Sequence, residues 1–276
     1  MSRNNYGLDT GRLGSEHAAV TGIKNIGFSM IGGLRDAFAA GEISLIAVCR
    51  FGARDLAFLL RTVVPVLADG ERSRLEGLRN HGARAGFLAS RLLVKAVCGA
   101  LEGTPARSVE TTHGLDGRFI LAGTSLRYHA GISHTRDAAA FLLSAVAPVG
   151  VDIERLRRPP IAVARKYFST GELAAVEGAG DRSAAFFRLW TLKESLAKME
   201  GEGIIGVLRN YEFAMDGGSV LCRNMTTGGP SPARFESMVL GRHALGAAFG
   251  GAAKAARTAL VGPVDCRELP ERLKPV

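Results

Sequence analysis

The feature that most constrains this chain is its longest stretch without a charge, Ala138 to Val151, 14 residues that include Pro148. A helix crossing a bilayer takes about 20 apolar residues, so a run of this length is core rather than membrane span. It reads as a strand over Ala138 to Ala145, a break at Pro148 and a second strand over Val149 to Glu154. The second strand leaves the run on Gly150-Val151-Asp152-Ile153-Glu154, where apolar and acidic residues alternate. Residues two apart on a strand share a face. Asp152 and Glu154 therefore present paired carboxylates while Val151 and Ile153 anchor the opposite face. Such a pair repels itself unless a hard cation or a cationic side chain sits between the two. Taken alone, the pentad also fits two solvated acids on an edge strand.

Around this run the chain alternates helical and extended patterns. A first strand is expected over Glu42 to Arg50, helices over Asp55–Leu67 and Glu71–Leu78, and an amphipathic helix over Ala83–Leu101. In that last helix Phe87, Leu88, Leu92 and Val94 oppose Arg84, Arg91 and Lys95. Short strands follow at Arg118–Leu121 and His129–Ser133. Beyond Arg157-Arg158-Pro159-Pro160 lie helical stretches at Ile161–Phe168 and Gly171–Glu177, then a second strong helix from Ser183 to about Met199. The remainder reads as antiparallel strands: Ile204–Leu208, Tyr211–Ala214, Ser219–Cys222, Met238–Leu240 and Ala244–Phe249. Each half thus offers one long basic helix and several short strands. The expected class is α+β: two pseudo-symmetric halves, each a small antiparallel sheet packed with a long helix, and an active site at their interface. With 276 residues and about 150 per domain, one large or two modest units fit. The boundaries expected are an N-terminal extension over 1–41, loosely docked, halves over 42–148 and 149–262, and a C-terminal tail over 263–276.

Charge narrows the partners. Lys plus Arg is 35 against 26 acids, a formal net charge of +9, and 28 of those 35 are arginine. Arginine's planar fork grips phosphates and carboxylates bidentately, so a nucleic acid, a phosphorylated small molecule or an acidic protein would each fit. Aromatics make up only 7%, and no zinc-ligand spacing or aromatic-interleaved basic stripe is present, which weighs against nucleic acid. The four cysteines are far apart with no CxxC spacing, and no apolar leader follows the first basic residue. A reduced, cytoplasmic protein is expected.

Two further segments carry chemistry. Trp190-Thr-Leu-Lys193-Glu194-Ser-Leu-Ala-Lys198 lies in the second long helix, with Phe186, Trp190 and Leu196 on its apolar face. Glu194 and Lys198, four apart, are neighbours on one face. They read either as a surface ion pair or as a third carboxylate with a phosphate-holding lysine beside it. Gly131-Ile-Ser133-His134-Thr135 ends a strand in two hydroxyls and an imidazole, suitable phosphate donors.

Taken in order, Ser-His-Thr, Gly-Val-Asp-Ile-Glu and Trp-x-x-Lys-Glu-Ser-x-x-Lys resemble the 4′-phosphopantetheinyl transferase superfamily, and within it the monomeric two-lobed type. The resemblance spans about residues 84 to 200. Phe168 to Glu172, preceded by Arg165, and Arg84 to Arg91 are similar to the family's short intervening segment and first basic helix. It implies that coenzyme A, as co-substrate, donates phosphopantetheine to a serine of an apo acyl or peptidyl carrier protein, leaving 3′,5′-ADP. Mg²⁺, with Mn²⁺ as the alternative, would be held by Asp152, Glu154 and Glu194. Glu194 would accept the serine proton, directly or through water, and Lys198 would hold the phosphate. Ser133, His134 and Arg91 match phosphate-contacting positions. Arg118 sits in a Gly-Lys/Arg-Pro-like turn whose proline is here Phe119. Lys193 shares the motif but points about 100° away from Glu194 on a helix. Lys95 is the next turn of the first basic helix.

Carrier proteins are acidic, which makes Arg155, Arg157 and Arg158 candidate docking residues and gives the basic balance a reason. The resemblance implies a monomer serving fatty acid, polyketide or nonribosomal peptide synthesis, with no membrane and no nucleic acid. The rival readings are a catalytically silent binding protein of the same fold, a basic nucleic-acid-binding protein, and a Mg²⁺ phosphohydrolase, which the lack of a P-loop disfavours.

Overall fold

The computed structural model describes residues 24–269 apart from residues 115, 116, 126 and 217, so residues 1–23 of the expected extension and 270–276 of the tail lie outside it. In chain order the elements are β1 Lys24–Ile26, α1 Arg35–Ala39, β2 Ile43–Arg50, α2 Leu56–Val63, α3 Asp69–Gly77, α4 His81–Glu102, β3 Glu110–His113, β4 Phe119–Ala122, β5 His129–His134 and β6 Ala138–Ser144. They continue with β7 Val149–Arg155, α5 Ile161–Tyr167, α6 Thr170–Gly178, α7 Arg182–Glu200, α8 Ile204–Asn210, β8 Tyr211–Asp216, β9 Ser219–Asn224, β10 Arg234–Leu240, β11 His243–Phe249 and β12 Arg257–Asp265. The class is α+β.

Two sheets form the centre. One is five-stranded, β1-β12-β2-β6-β5, and the other three-stranded, β10-β11-β7. Strand alternation sorts the first sheet's side chains cleanly. Leu45, Ala47, Cys49, Phe141 and Leu143 face α4 and its apolar stripe. Ile46, Val48, Ala140 and Leu142 face the other way, onto Val151, Ile153, Leu245 and Phe249 of the second sheet. The second sheet's remaining face, with Ala244 and Ala248, packs on Phe186, Leu192 and Leu196 of α7. The order through the molecule is therefore α4, five-stranded sheet, three-stranded sheet, α7. The charge-free run supplies the middle of this stack.

Both long helices begin and end where side-chain chemistry stops them. Asn80 accepts from the backbone N–H groups of Gly82 and Ala83 at the start of α4, and Asp181 from that of Ala184 at the start of α7. Gly103 and Gly201 close them in the left-handed region, at φ 68° and 73°.

The structure departs from the sequence reading at three places. Ile204–Leu208, with its β-branched apolar run, reads as a strand but forms α8, because Val207 and Leu208 are buried while Ile205 is 53% exposed. That asymmetry is helical, not alternating. The C-terminal strand β12 leaves the second half and pairs in parallel with both β1 and β2, so the first sheet is mixed rather than antiparallel. Residues 24–41 are not loosely docked: β1 joins that sheet, and Ile31 and Phe38 are fully buried in the core beneath it.

Candidate active site

The site starts from two glycines. Gly150 of β7 and Gly246 of β11 lie on the sheet face that α7 covers. A Cβ on Gly150 would come 2.0 Å from the Ser195 carbonyl oxygen, and one on Gly246 would come 2.5 Å from the Thr191 carbonyl. Only glycine lets the helix backbone sit this close to the strands. Gly246 pairs directly with Asp152 in the antiparallel register. The close approach therefore lays the Glu194–Lys198 turn of α7 over the acidic face of β7.

Asp152 is the centre of the resulting contacts. Its Oδ1 lies 2.7 Å from Lys198 Nζ and accepts from Ser133 Oγ of β5 at 2.7 Å. Lys198 also donates to the Val151 carbonyl at 3.3 Å. One carboxylate oxygen thus joins β7, α7 and β5, the last from the five-stranded sheet. Glu154 points to the same face and is paired with Arg157 at 2.9 Å. Glu194 stands close enough to feel both acids: burial first, then the charges of Asp152 and Glu154, push its carboxyl above the usual range, against the opposing pull of Lys198.

On the opposite side, α4 supports the Ser133-His134 corner. A Cβ on Gly86 would fall 2.6 Å from His134 Nδ1, so the imidazole rests on the bare helix backbone there. Burial, together with the charges of Lys198, Arg91 and Arg74, holds this imidazole below its ordinary range. Arg91 is buried one turn further along α4. Its guanidinium lies over the Phe87 ring at 4.4 Å and near that of Phe119 at 5.5 Å. It approaches Glu71 at 3.4 Å, and burial draws its pKa down to about 10. Arg118 reaches across from the loop before β4 and donates to the Glu200 carbonyl at 2.8 Å, over the end of α7. Between these groups opens a cleft of about 600 Å³, lined among others by Arg118, Phe119, His129, Val149, Lys198 and Glu202.

The structure gathers Asp152, Lys198 and Ser133 in direct contact, and sets Glu154, Glu194 and His134 within electrostatic reach of them. It lines the cleft with Arg118 and sets Arg91 behind Phe119. Lys193, expected at the cofactor, is not brought to the cleft. Its side chain is fully buried on the far side of α7, paired with Glu172 at 2.8 Å and donating to the Tyr211 carbonyl at 2.7 Å. Lys95 is likewise interior, held by Glu71 at 3.0 Å and by the Val109 carbonyl. Of the expected docking arginines, Arg155 is committed to Asp137 and Arg157 to Glu154, while Arg158 stays exposed. Sequence reasoning missed Glu71 and Asp137, the acids that hold these bases. It also missed Gly246, although a glycine inside a strand pattern is itself a sign of close backbone approach.

Among the described residues no three His, Cys, Asp or Glu side chains are gathered tightly enough to form a ready metal cage. The donor chemistry nevertheless fits a hard divalent cation. Asp152 and Glu154 share one face of β7, and Glu194 lies within electrostatic reach of both, oxygen donors of the kind such a cation takes.

Comparison with known proteins agrees with this geometry. Residues 148–248 match the family model of the 4′-phosphopantetheinyl transferase superfamily. A 4′-phosphopantetheinyl transferase, psf-1, from Bacillus pumilus is 37% identical over 81 residues, covering 28% of this chain and 34% of the relative. The AcpT transferase of Salmonella typhi is 37% identical over 123 residues, 43% of this chain and 59% of the relative. HetI of Nostoc sp., also a 4′-phosphopantetheinyl transferase, is 26% identical over 164 residues, 56% of this chain and 68% of the relative. The chain thus spans between about a third and three fifths of the first two relatives. Over the segment that carries β7, α7 and β11, the chain is similar to that superfamily.

Proposed function

We propose that this chain transfers the 4′-phosphopantetheine group of coenzyme A to a serine hydroxyl of an acidic apo carrier protein or carrier domain, releasing 3′,5′-ADP. The observation that carries the reading is the junction at Asp152. Lys198 of α7 and Ser133 of β5 both reach one carboxylate oxygen inside the segment that matches the superfamily.

In this reading Asp152, Glu154 and Glu194 hold Mg²⁺, or Mn²⁺ in its place. The ion, when bound, neutralises charge on the pyrophosphate under attack and on the leaving group. The remaining work falls to side chains. Ser133 and His134 take phosphate oxygens of coenzyme A on one wall of the cleft, and Arg118 on its rim supplies a further positive group. Arg91, buried behind Phe119, supports that wall through its charge. Lys198 is held ready by Asp152 and turns its ammonium to the phosphate under attack. Glu194, directly or through water, takes the proton of the carrier serine. The serine oxygen bonds to phosphorus as the bond to 3′,5′-ADP breaks.

The two helix-on-sheet layers are taken as pseudo-symmetric halves meeting near residue 149. One chain then supplies both walls of the cleft, and a monomer suffices. Four free cysteines suit a reduced, cytoplasmic setting, and no described helix is long and apolar enough to cross a membrane. The test is chromatographic: 3′,5′-ADP should appear only when coenzyme A, a divalent cation and an apo carrier protein are supplied together. Its absence across acyl and peptidyl carriers would contradict the reading.

A further inference from the structure

Beyond the carboxylates, β7 runs into a second concavity with a different composition. The strand ends at Arg155, which pairs with His243 at the start of β11. Arg50, the last residue of β2, pairs with Ala138 at the start of β6. The two sheets' ends are tied together by Asp137. Its Oδ1 lies 2.8 Å from His243 Nε2, its Oδ2 3.3 Å from Arg155, and its carbonyl accepts from the Phe51 N–H. Here opens a cavity of about 480 Å³, with Phe51 and Leu240 as apolar lining and Arg50 and Arg242 at its rim.

The charge accounting at this end is one-sided. The nearby acids Asp137, Glu154 and Asp55 already have basic partners, His243 with Arg155, Arg157 and Arg267 respectively, and Asp265 lies beside Arg50 in the β12–β2 register. The side chains of Arg50, Arg136, Arg158 and Arg242 are all exposed, and none makes a hydrogen bond or ion pair with a described residue. Exposed guanidinium groups around a cavity lined by Phe51 and Leu240, with Asp137 and His243 paired to each other in its wall, suit a partner segment that offers a carboxylate beside an apolar side chain. Position favours the same partner. Along β7 the cleft for the donor lies at Val149, the carboxylates at Asp152 and Glu154, and this cavity just past Arg155. A partner seated here would lie past the carboxylates, on the side away from the donor cleft.

We infer that the Arg50–Arg242 cavity, spanning both halves, is the docking site for an acidic segment of the carrier protein that accepts the phosphopantetheine group. The inference rests on the transferase reading, and the experiment separates the two. The kinetics of the wild type and of an Arg50→Glu/Arg242→Glu double variant are compared on an acidic apo acyl carrier protein. In parallel, binding of the dye-labelled carrier is followed by fluorescence anisotropy. Both arginines are exposed and outside the chemistry, so folding should be unchanged in the unfolding curve. The KM and Kd for the carrier should rise about tenfold or more, since like charges now face each other. The KM for coenzyme A and the kcat at saturating carrier should stay within about twofold of wild type, as expected for rim charges that act mainly on encounter. The milder Arg50→Gln/Arg242→Gln pair should fall between, with a shallower salt dependence than wild type. A wild type that transfers while both variants keep its KM and Kd would overturn the docking site and leave the transferase reading standing. A wild type that neither transfers nor binds the carrier would remove both. A change in sedimentation with an unchanged Kd would make this face a self-interface and overturn the inference.

Discussion

Lys193 Nζ lies 2.8 Å from Glu172 Oε1, and both side chains are fully buried on the side of α7 away from the cleft. Glu172 does more than balance the charge. It accepts from the N–H groups of Ser169 and Phe213, each at 2.9 Å, capping α6 and anchoring β8. The lysine next to Glu194 in sequence thus fixes the rotation of the helix that presents Glu194 and Lys198.

Removing one partner of that pair leaves the other charge buried and uncompensated. Lys193→Met should cost about 3–5 kcal/mol in denaturant unfolding. The double variant Lys193→Met/Glu172→Gln should recover part of that loss. Equal stability of the single and double variants would argue against the pairing.

Glu194→Gln keeps the shape of the side chain and removes its basicity. If Glu194 takes the serine proton, kcat should fall by about 10²–10⁴, while the affinity for coenzyme A, measured calorimetrically in the presence of Mg²⁺, changes only a few-fold. A chelator should abolish transfer in the wild type, and added Mg²⁺ or Mn²⁺ should restore it.

The approach of α7 to β7 and β11 is a steric matter at Gly150 and Gly246. Gly246→Ala should destabilise by about 1–3 kcal/mol through overpacking, and should lower activity by lifting the Glu194 turn from the strand. Gly178→Ala, at the end of α6 with nothing within 4 Å of an added Cβ, serves as the neutral control.

His113 lies at the cleft with its Nδ1 2.9 Å from Arg74, and burial, then the charges of Arg74 and Arg91, lower its pKa. The folded state therefore resists protonating it. Its contribution to stability is present above the unfolded value of about 6.5 and is lost as pH falls through the lower folded value. Melting temperature should decline between pH 7 and pH 5 more steeply in wild type than in His113→Gln. Parallel curves would contradict the assignment.

Much of the core was legible in the chain itself. The charge-free run with its alternating end located both central strands, and the 3.6-residue pattern located α4 and α7. The site was legible where chemistry and period coincide, as at Asp152 with Glu154 and Glu194 with Lys198. What stayed hidden depends on contacts between distant residues. The pairing of β12 with β1 and β2 joins the two ends of the chain, and nothing local marks it. Lys193 and Lys95 look like their exposed neighbours until Glu172 and Glu71 are found facing them. Ile204–Leu208 carries a strand's composition, and only its burial against α7 makes it helical.

The central claim is tested most directly by the intact mass of an apo carrier protein after incubation with this chain, coenzyme A and Mg²⁺. The account predicts a gain of about 340 Da, the mass of the phosphopantetheine group delivered in a metal-assisted phosphoryl transfer, and loss of that gain in the Glu194→Gln variant. An unchanged carrier mass across acyl and peptidyl carriers, together with no measurable binding of coenzyme A, would contradict it.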